Sequence, residues 1–149
     1  MRSCTFIGHS DCGENICADI SCAVKNLIEK HNVTRFFVGH NGKFDFYVYK
    51  VLKKLKEEYD IEIIVVLACL NQKREYIYFS QEETLFPHIL EKTPIRFAIS
   101  KRNMFMIERC EYIICYLNDT CSNTYTFVQK AIAKGLSVIN VGKYDIKNI

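Results

Sequence analysis

Three short segments of this 149-residue chain hold the side chains best suited to grip a small anion. They are Gly8-His9-Ser10-Asp11-Cys12-Gly13, Gly39-His40-Asn41-Gly42-Lys43-Phe44-Asp45 and Asn118-Asp119-Thr120-Cys121-Ser122-Asn123-Thr124. Each is expected to lead from a strand into a helix N-terminus, where unpaired N–H groups and the helix dipole favour phosphate. Glycine lets the main chain approach a ligand, and Ser, Asn and Thr add short hydrogen bonds. The competing reading is local: Gly at a strand end makes a turn, and Ser10, Asp45 and Asn123 cap helices. Neither G-x-G-x-x-G nor G-x-x-x-x-G-K-[ST] occurs, which disfavours a nicotinamide dehydrogenase or a Walker-type NTPase. His9, His40, Cys12 and Cys121 could in principle bind zinc, but hydrogen-bonding loop side chains are the simpler reading. No cofactor and no metal are expected.

The elements that position these loops follow from periodicity. Arg2–Gly8, Thr34–Gly39, Ile61–Ala68, Glu111–Asn118 and Ser137–Gly142 read as strands; the third is nearly unbroken apolar sequence, as a strand buried on both faces should be. Between them, Glu14–His31 and a stripe from Phe44 to Tyr59 read as amphipathic helices. Ser100–Cys110 and Asn123–Lys134 read as two more, the last stopped by Gly135. Cys69–Lys92, which holds Pro87, reads as a surface excursion with one helical turn. Strands separated by helices imply right-handed parallel crossovers. We therefore expect a Rossmann-like three-layer α/β/α sandwich with a mostly parallel five-stranded sheet in the order 3-2-1-4-5, as one domain over residues 1–149. Ligands in such sheets bind beyond the strand C-termini at the topological switch, which points to the loops after the first, second and fourth strands.

Composition sets further bounds. With 49% hydrophobic residues the chain can build a core, and six Gly and two Pro exclude collagen-like architecture. The longest apolar stretch, Ile63 to Leu70, is far short of a membrane span. No apolar segment of signal-peptide length precedes the stretch His9 to Glu14, so a cytoplasmic location without membrane contact is expected. The eight cysteines show no C-x-x-C pair and read mostly as small buried hydrophobes, although a Cys12–Cys121 disulfide is geometrically conceivable on the assumed strand order. A net charge of +3 is too small to argue for nucleic acid, which is not expected as a partner. The densest basic run, Lys50, Lys53, Lys54 and Lys56, reads as a solvated helix face without interleaved aromatic rings. Lys101 and Arg102 read as lying near a helix start, against its dipole, which either an anionic ligand or plain solvent exposure explains.

The segments Thr5–His9 (TFIGH), Phe36–Asp45 (FFVGHNGKFD), Arg96–Glu108 (RFAISKRNMFMIE) and Tyr112–Val141 resemble small bacterial proteins of the SLOG superfamily, Rossmann-like relatives of the Lonely Guy phosphoribohydrolases and of the DNA-processing Smf proteins. The resemblance spans nearly the whole chain. It implies a nucleotide or nucleotide-derived, possibly NAD-related, ligand and a homodimer. It assigns Gly39, Gly42, Phe44 and Asp45 to the second loop's motif, and makes Arg102, followed by Asn103, the prime ligand contact. Two departures stand out. Ser10 replaces an arginine, and Ser122-Asn123 replaces a Gly-Gly pair. No Asp or Glu occurs between Asp119 and Asp145, where Lonely Guy enzymes place their catalytic Glu. A binding or sensing module without catalysis is thus the leading expectation, with Arg102→Ala expected to spare folding. The alternatives are an N-glycosidic hydrolase or transferase, for which Asp45 is the best carboxylate, and a structural protein with a degenerate pocket.

Overall fold

The computed structural model describes residues 2–9, 11–70 and 78–148. The elements run β1 (Arg2–Gly8), α1 (Ile16–His31), β2 (Val33–Val38), α2 (Lys43–Lys56), β3 (Glu62–Val66), β4 (Thr84–Leu85), α3 (Ile95–Glu108), β5 (Tyr112–Tyr116), α4 (Asn123–Ala133) and β6 (Ser137–Asn140). They form one sheet in the order β4-β3-β2-β1-β5-β6, and every adjacent pair is parallel.

Alternation along the strands builds the three layers. Phe6, Phe36, Val65 and Ile114 face α1 and α2, meeting Ile20, Val24, Leu27, Val48 and Leu52. Their chain neighbours Ile7, Phe37, Val66 and Ile113 face the other way, against Met106 and Ile107 of α3 and Phe127 and Ala131 of α4. Both faces of the sheet are therefore covered, and the middles of the strands are largely apolar, as parallel strands buried on both faces should be.

The expected five-strand order is present as β3-β2-β1-β5-β6, but the sheet has six strands. The added β4 pairs only Thr84 and Leu85 with Val65 and Val66, too short a segment to show any alternation. The excursion before α3 otherwise holds two 3-10 turns, Gln81–Glu83 and His88–Lys92; residues 71–77 of it lie outside the described residues. α3 starts at Ile95, behind Pro94, five residues earlier than its pattern suggested. The reason is an inverted surface: Ile95 is 83% exposed while Arg102 and Asn103 are buried, so apolar periodicity fails. α4 ends as expected at Gly135, whose φ of 88° turns the chain into β6. Among the described residues no helix is long and apolar enough to cross a membrane.

Candidate functional site

A crevice of about 610 Å³ opens at the C-terminal ends of β1 and β5, between α3 and α4. This is the switch point of the sheet, where connections leave β1 in one direction and β5 in the other. Gly8 and His9 line it from the first loop, Asn41 and Asp45 from the second, and Ser122, Asn123 and Thr124 from the loop after β5. Three segments distant in sequence thus meet at one cavity.

The loop entering α4 is shaped by its own polar groups. Asp119 Oδ1 accepts from Cys121 N at 2.9 Å, and Ser122 Oγ, at the N-cap, accepts from Tyr125 N at 3.4 Å. The cap is therefore Ser122, and Asn123 is the first helical residue. His9 Nε2 accepts from Asn118 N at 3.4 Å, and its ring meets the Tyr116 ring edge-on. That contact ties the first loop to the one after β5.

Arg102 organises the other wall. It is 2% exposed and spans three elements: Nε donates to Asn103 Oδ1 at 2.8 Å, and Nη1 donates to Asn41 Oδ1 at 3.0 Å and to the Val66 carbonyl at 3.3 Å. Asp45, in the first turn of α2, sits opposite it, and Asp45 Oδ2 accepts from Asn41 N at 2.9 Å. Burial pushes the Asp45 carboxyl above the usual carboxylate range, against the opposing pull of the Arg102 guanidinium and the Asn41 N–H. Burial also draws the Arg102 guanidinium down, but a group this basic keeps its proton at neutral pH. Asp45 is thus both a cap for its own loop and the partner of a buried cation. Neither the ligand reading nor the capping reading alone describes it.

The geometry revises two expectations about Arg102, its helix-start position and its dispensability to the fold, and leaves it in the lining of the crevice. It lies in the third turn's approach of α3, eight residues in from Pro94, so no helix-dipole conflict explains it. Its Nε and Nη1 serve the protein rather than open space. Removing it would also strand Asp45, so Arg102→Ala should not spare the fold. Gly39, Gly42 and Phe44 do not line the crevice. Gly42 is the N-cap of α2 with φ 96°, and Phe44 is buried under Gly8, stacked 6.3 Å from Tyr116. Ser10 lies outside the described residues.

Two lining cations escaped the sequence reading, Arg96 at the start of α3 and Lys130 on α4. Both are exposed, and neither makes an ion pair among the described residues. Lys130 could have been found by spacing, because it falls two turns beyond Asn123 on the same helix face. Arg96 could not, since its helix was expected to begin later. With Arg102 they set three cations against Asp45, the one carboxylate among the described lining residues.

None of the eight cysteines forms a disulfide; Cys4, Cys12, Cys110 and Cys115 are buried, while Cys121 is exposed, so the conceivable Cys12–Cys121 disulfide is not formed. Burial raises the Cys12 thiol and pushes Cys115 up to about 12, as expected of core thiols. The described residues hold no group of three or more His, Cys, Asp or Glu arranged for a metal.

No protein-family model matches the chain, and no curated protein does. Among solved structures, it is similar to DNA processing protein A (DprA) from Streptococcus pneumoniae, with a TM-score of 0.65 and 12% sequence identity. The match covers 94% of this chain and 50% of that one, so the chain spans about half the length of its structural neighbour. The shared feature is the Rossmann-like α/β fold. The neighbour's name corrects the expectation that nucleic acid is a poor partner, because the fold is shared with a DNA-processing protein. The basic run is an exposed helix face, and two of its lysines reach rings that precede it: Lys50 Nζ lies 5.4 Å from the centre of the Phe46 ring and Lys53 Nζ 5.9 Å from that of Tyr49.

Proposed function

We propose that this chain binds a nucleotide or a nucleotide-derived anion, with its phosphate in the crevice between α3 and α4, as a SLOG-type domain would. The observation that carries the reading is the charge and shape of that crevice. Its lining holds Arg96, Arg102 and Lys130 against Asp45 alone, and the N-terminus of α4 opens into it. Cations and a helix N-terminus on a partly desolvated wall favour an oxyanion, each charge-assisted contact contributing roughly 1.5–3 kcal/mol. A cavity of about 610 Å³ is in the range of small-molecule sites.

Binding without chemistry is the simpler form of this reading. Glycosidic cleavage ordinarily asks for two carboxylates or a carboxylate and a positioned acid, and Asp45 stands alone in the lining. Its raised carboxyl nevertheless keeps a hydrolase or transferase acting on an N-glycosidic bond as the second reading.

Mass spectrometry of small molecules retained by the purified chain, followed by calorimetric titration of nucleoside monophosphates, NAD and a short DNA single strand, tests both. The expected result is saturable binding of at least one nucleotide with no released base. Released base would establish the second reading. Binding of the strand with no response to any free nucleotide would replace both with a nucleic-acid end site.

A further inference from the structure

The amide orientations of Asn41 and Asn103 can be settled by chemistry. A guanidinium has donors only, so whichever asparagine atom faces it must be the amide oxygen. Arg102 Nε meets Asn103 Oδ1 at 2.8 Å, and Arg102 Nη1 meets Asn41 Oδ1 at 3.0 Å. One arginine thereby captures both amide oxygens. What remains of each side chain is its Nδ2 donor, and both asparagines line the crevice.

Asn103 is the more constrained of the two. It is 8% exposed and sits on α3 beside the residue that holds it. Its Nδ2 makes no hydrogen bond among the described residues. It is not among the buried atoms left without a partner, so it reaches solvent through the crevice and can donate to a ligand there.

We propose that Arg102 is a positioning residue that turns Asn41 and Asn103 into a pair of N–H donors aimed at the crevice, and that this corner takes the phosphoryl oxygens of an oxyanion such as a diphosphate. The inference rests on the reading of the crevice as an anion site, but assigns the contact to the asparagines rather than to the arginine. A ligand group presenting its own N–H at this corner is refused, because donor would meet donor.

The substitution that separates positioning from packing is Asn103→Asp. It keeps an oxygen for Arg102 Nε and replaces the Nδ2 donor with a second oxygen, so fold and arginine position are retained. Asn103→Ala instead releases Arg102 and leaves the corner uncharged. The probe is inorganic pyrophosphate, titrated calorimetrically into the wild type and both variants, with thermal unfolding of each ligand-free protein measured alongside. We expect wild type to bind, Asn103→Asp to unfold no earlier than wild type yet bind at least about tenfold more weakly, and Asn103→Ala to lose stability while binding better than Asn103→Asp. A merely structural Asn103 gives the opposite ranking, with Asn103→Ala worst in both measurements, and overturns the proposal. So does a wild type that does not bind pyrophosphate, or an Asn103→Asp protein that binds it unchanged. Should Asn103→Asp fail to fold, Asn41→Asp, at an exposed loop position, takes the same titration with the same expected loss. Pyrophosphate binding without response to any nucleotide would defeat the nucleotide reading and leave this one standing; nucleotide binding that survives both aspartate substitutions would defeat this one alone.

Discussion

Asp45 and Arg102 close so tightly around Gly39 that a methyl group on that glycine would come within 2.7 Å of both Asp45 Oδ2 and Arg102 Nη1. The position after β2 must therefore be bare for these two charged groups to sit on either side of it. Gly39→Ala is expected to cost about 1–3 kcal/mol in chemical denaturation, since neither charged group can retreat without losing a hydrogen bond. A Gly39→Ala protein as stable as wild type would show that the pair has slack the geometry denies.

Removing the cation itself should cost more. Arg102→Ala leaves the Asp45 carboxylate buried without its counter-charge and frees Asn41, Asn103 and the Val66 carbonyl together. Arg102 and Asp45 face each other without a direct ion pair, so the loss comes from three charge-assisted hydrogen bonds and from the guanidinium field at Asp45, about 2–5 kcal/mol in all. The double variant Arg102→Met with Asp45→Leu should recover much of it, because burying neither charge is cheaper than burying one. If the double variant is no more stable than Arg102→Ala, charge is not what the site resists.

Much of this arrangement was open to sequence reasoning, and the exceptions share a cause. β1 was readable to the residue, Arg2–Gly8, because a β-branched and aromatic run ends in glycine. The switch-point loops followed from strand order alone. α3 was not readable at its start, because it exposes Ile95, Phe97 and Ile99 and buries Arg102 and Asn103, the reverse of a core helix. The same reversal hid Arg96 and made Arg102 look like a helix-start cation. Phe44 entered the ligand motif through the resemblance alone, whereas the apolar stripe it heads already placed it on the buried face of α2, where it lies. Asn140 gave no signal at all, because all but one of its partners are backbone groups.

That asparagine is a strong candidate for a structural hub. Asn140 Oδ1 accepts from Leu117 N at 2.9 Å and Gly142 N at 2.8 Å, while Nδ2 donates to the Leu117 and Tyr144 carbonyls at 2.9 and 2.8 Å. Four backbone groups near the end of β5 depend on one side chain. Asn140→Ala should cost about 2–4 kcal/mol, taking roughly 0.5–1.5 kcal/mol per bond with partial rescue by water. Asn140→Asp should do no better at neutral pH, because its second oxygen would face two carbonyls. Hydrogen exchange localises the effect: faster exchange at Leu117 N and Gly142 N is expected, and unchanged exchange there would exclude the hub.

Gly8 and Phe44 offer a cleaner packing test. A methyl group on Gly8 would lie 2.7–2.9 Å from three atoms of the Phe44 ring, which is itself 1% exposed. Gly8→Ala should therefore destabilise by about 1–3 kcal/mol through overpacking, and Phe44→Leu by a comparable amount through the volume it removes. Combined, the two should cost less than their sum, since the smaller side chain vacates the space the methyl needs. Strict additivity in the double-mutant cycle would mean the clash is relieved elsewhere.

The buried Asp45 carboxyl carries a signed pH dependence. Its folded-state value lies above its ordinary value of 3.8, so between the two the native state binds the extra proton. Stability from this group is then fully present below the ordinary value and is lost as pH rises through the raised one. Most carboxylates give the opposite slope, so the total curve cannot isolate it, but a difference can. Asp45→Asn keeps an acceptor for the Asn41 N–H and abolishes the titration. The stability of wild type minus that of Asp45→Asn, followed by urea denaturation from neutral to acid pH, should rise steadily as the pH falls towards the ordinary carboxylate range. A difference that stays flat, or that falls on acidification, would mean that Arg102 outweighs burial and holds the carboxylate charged throughout.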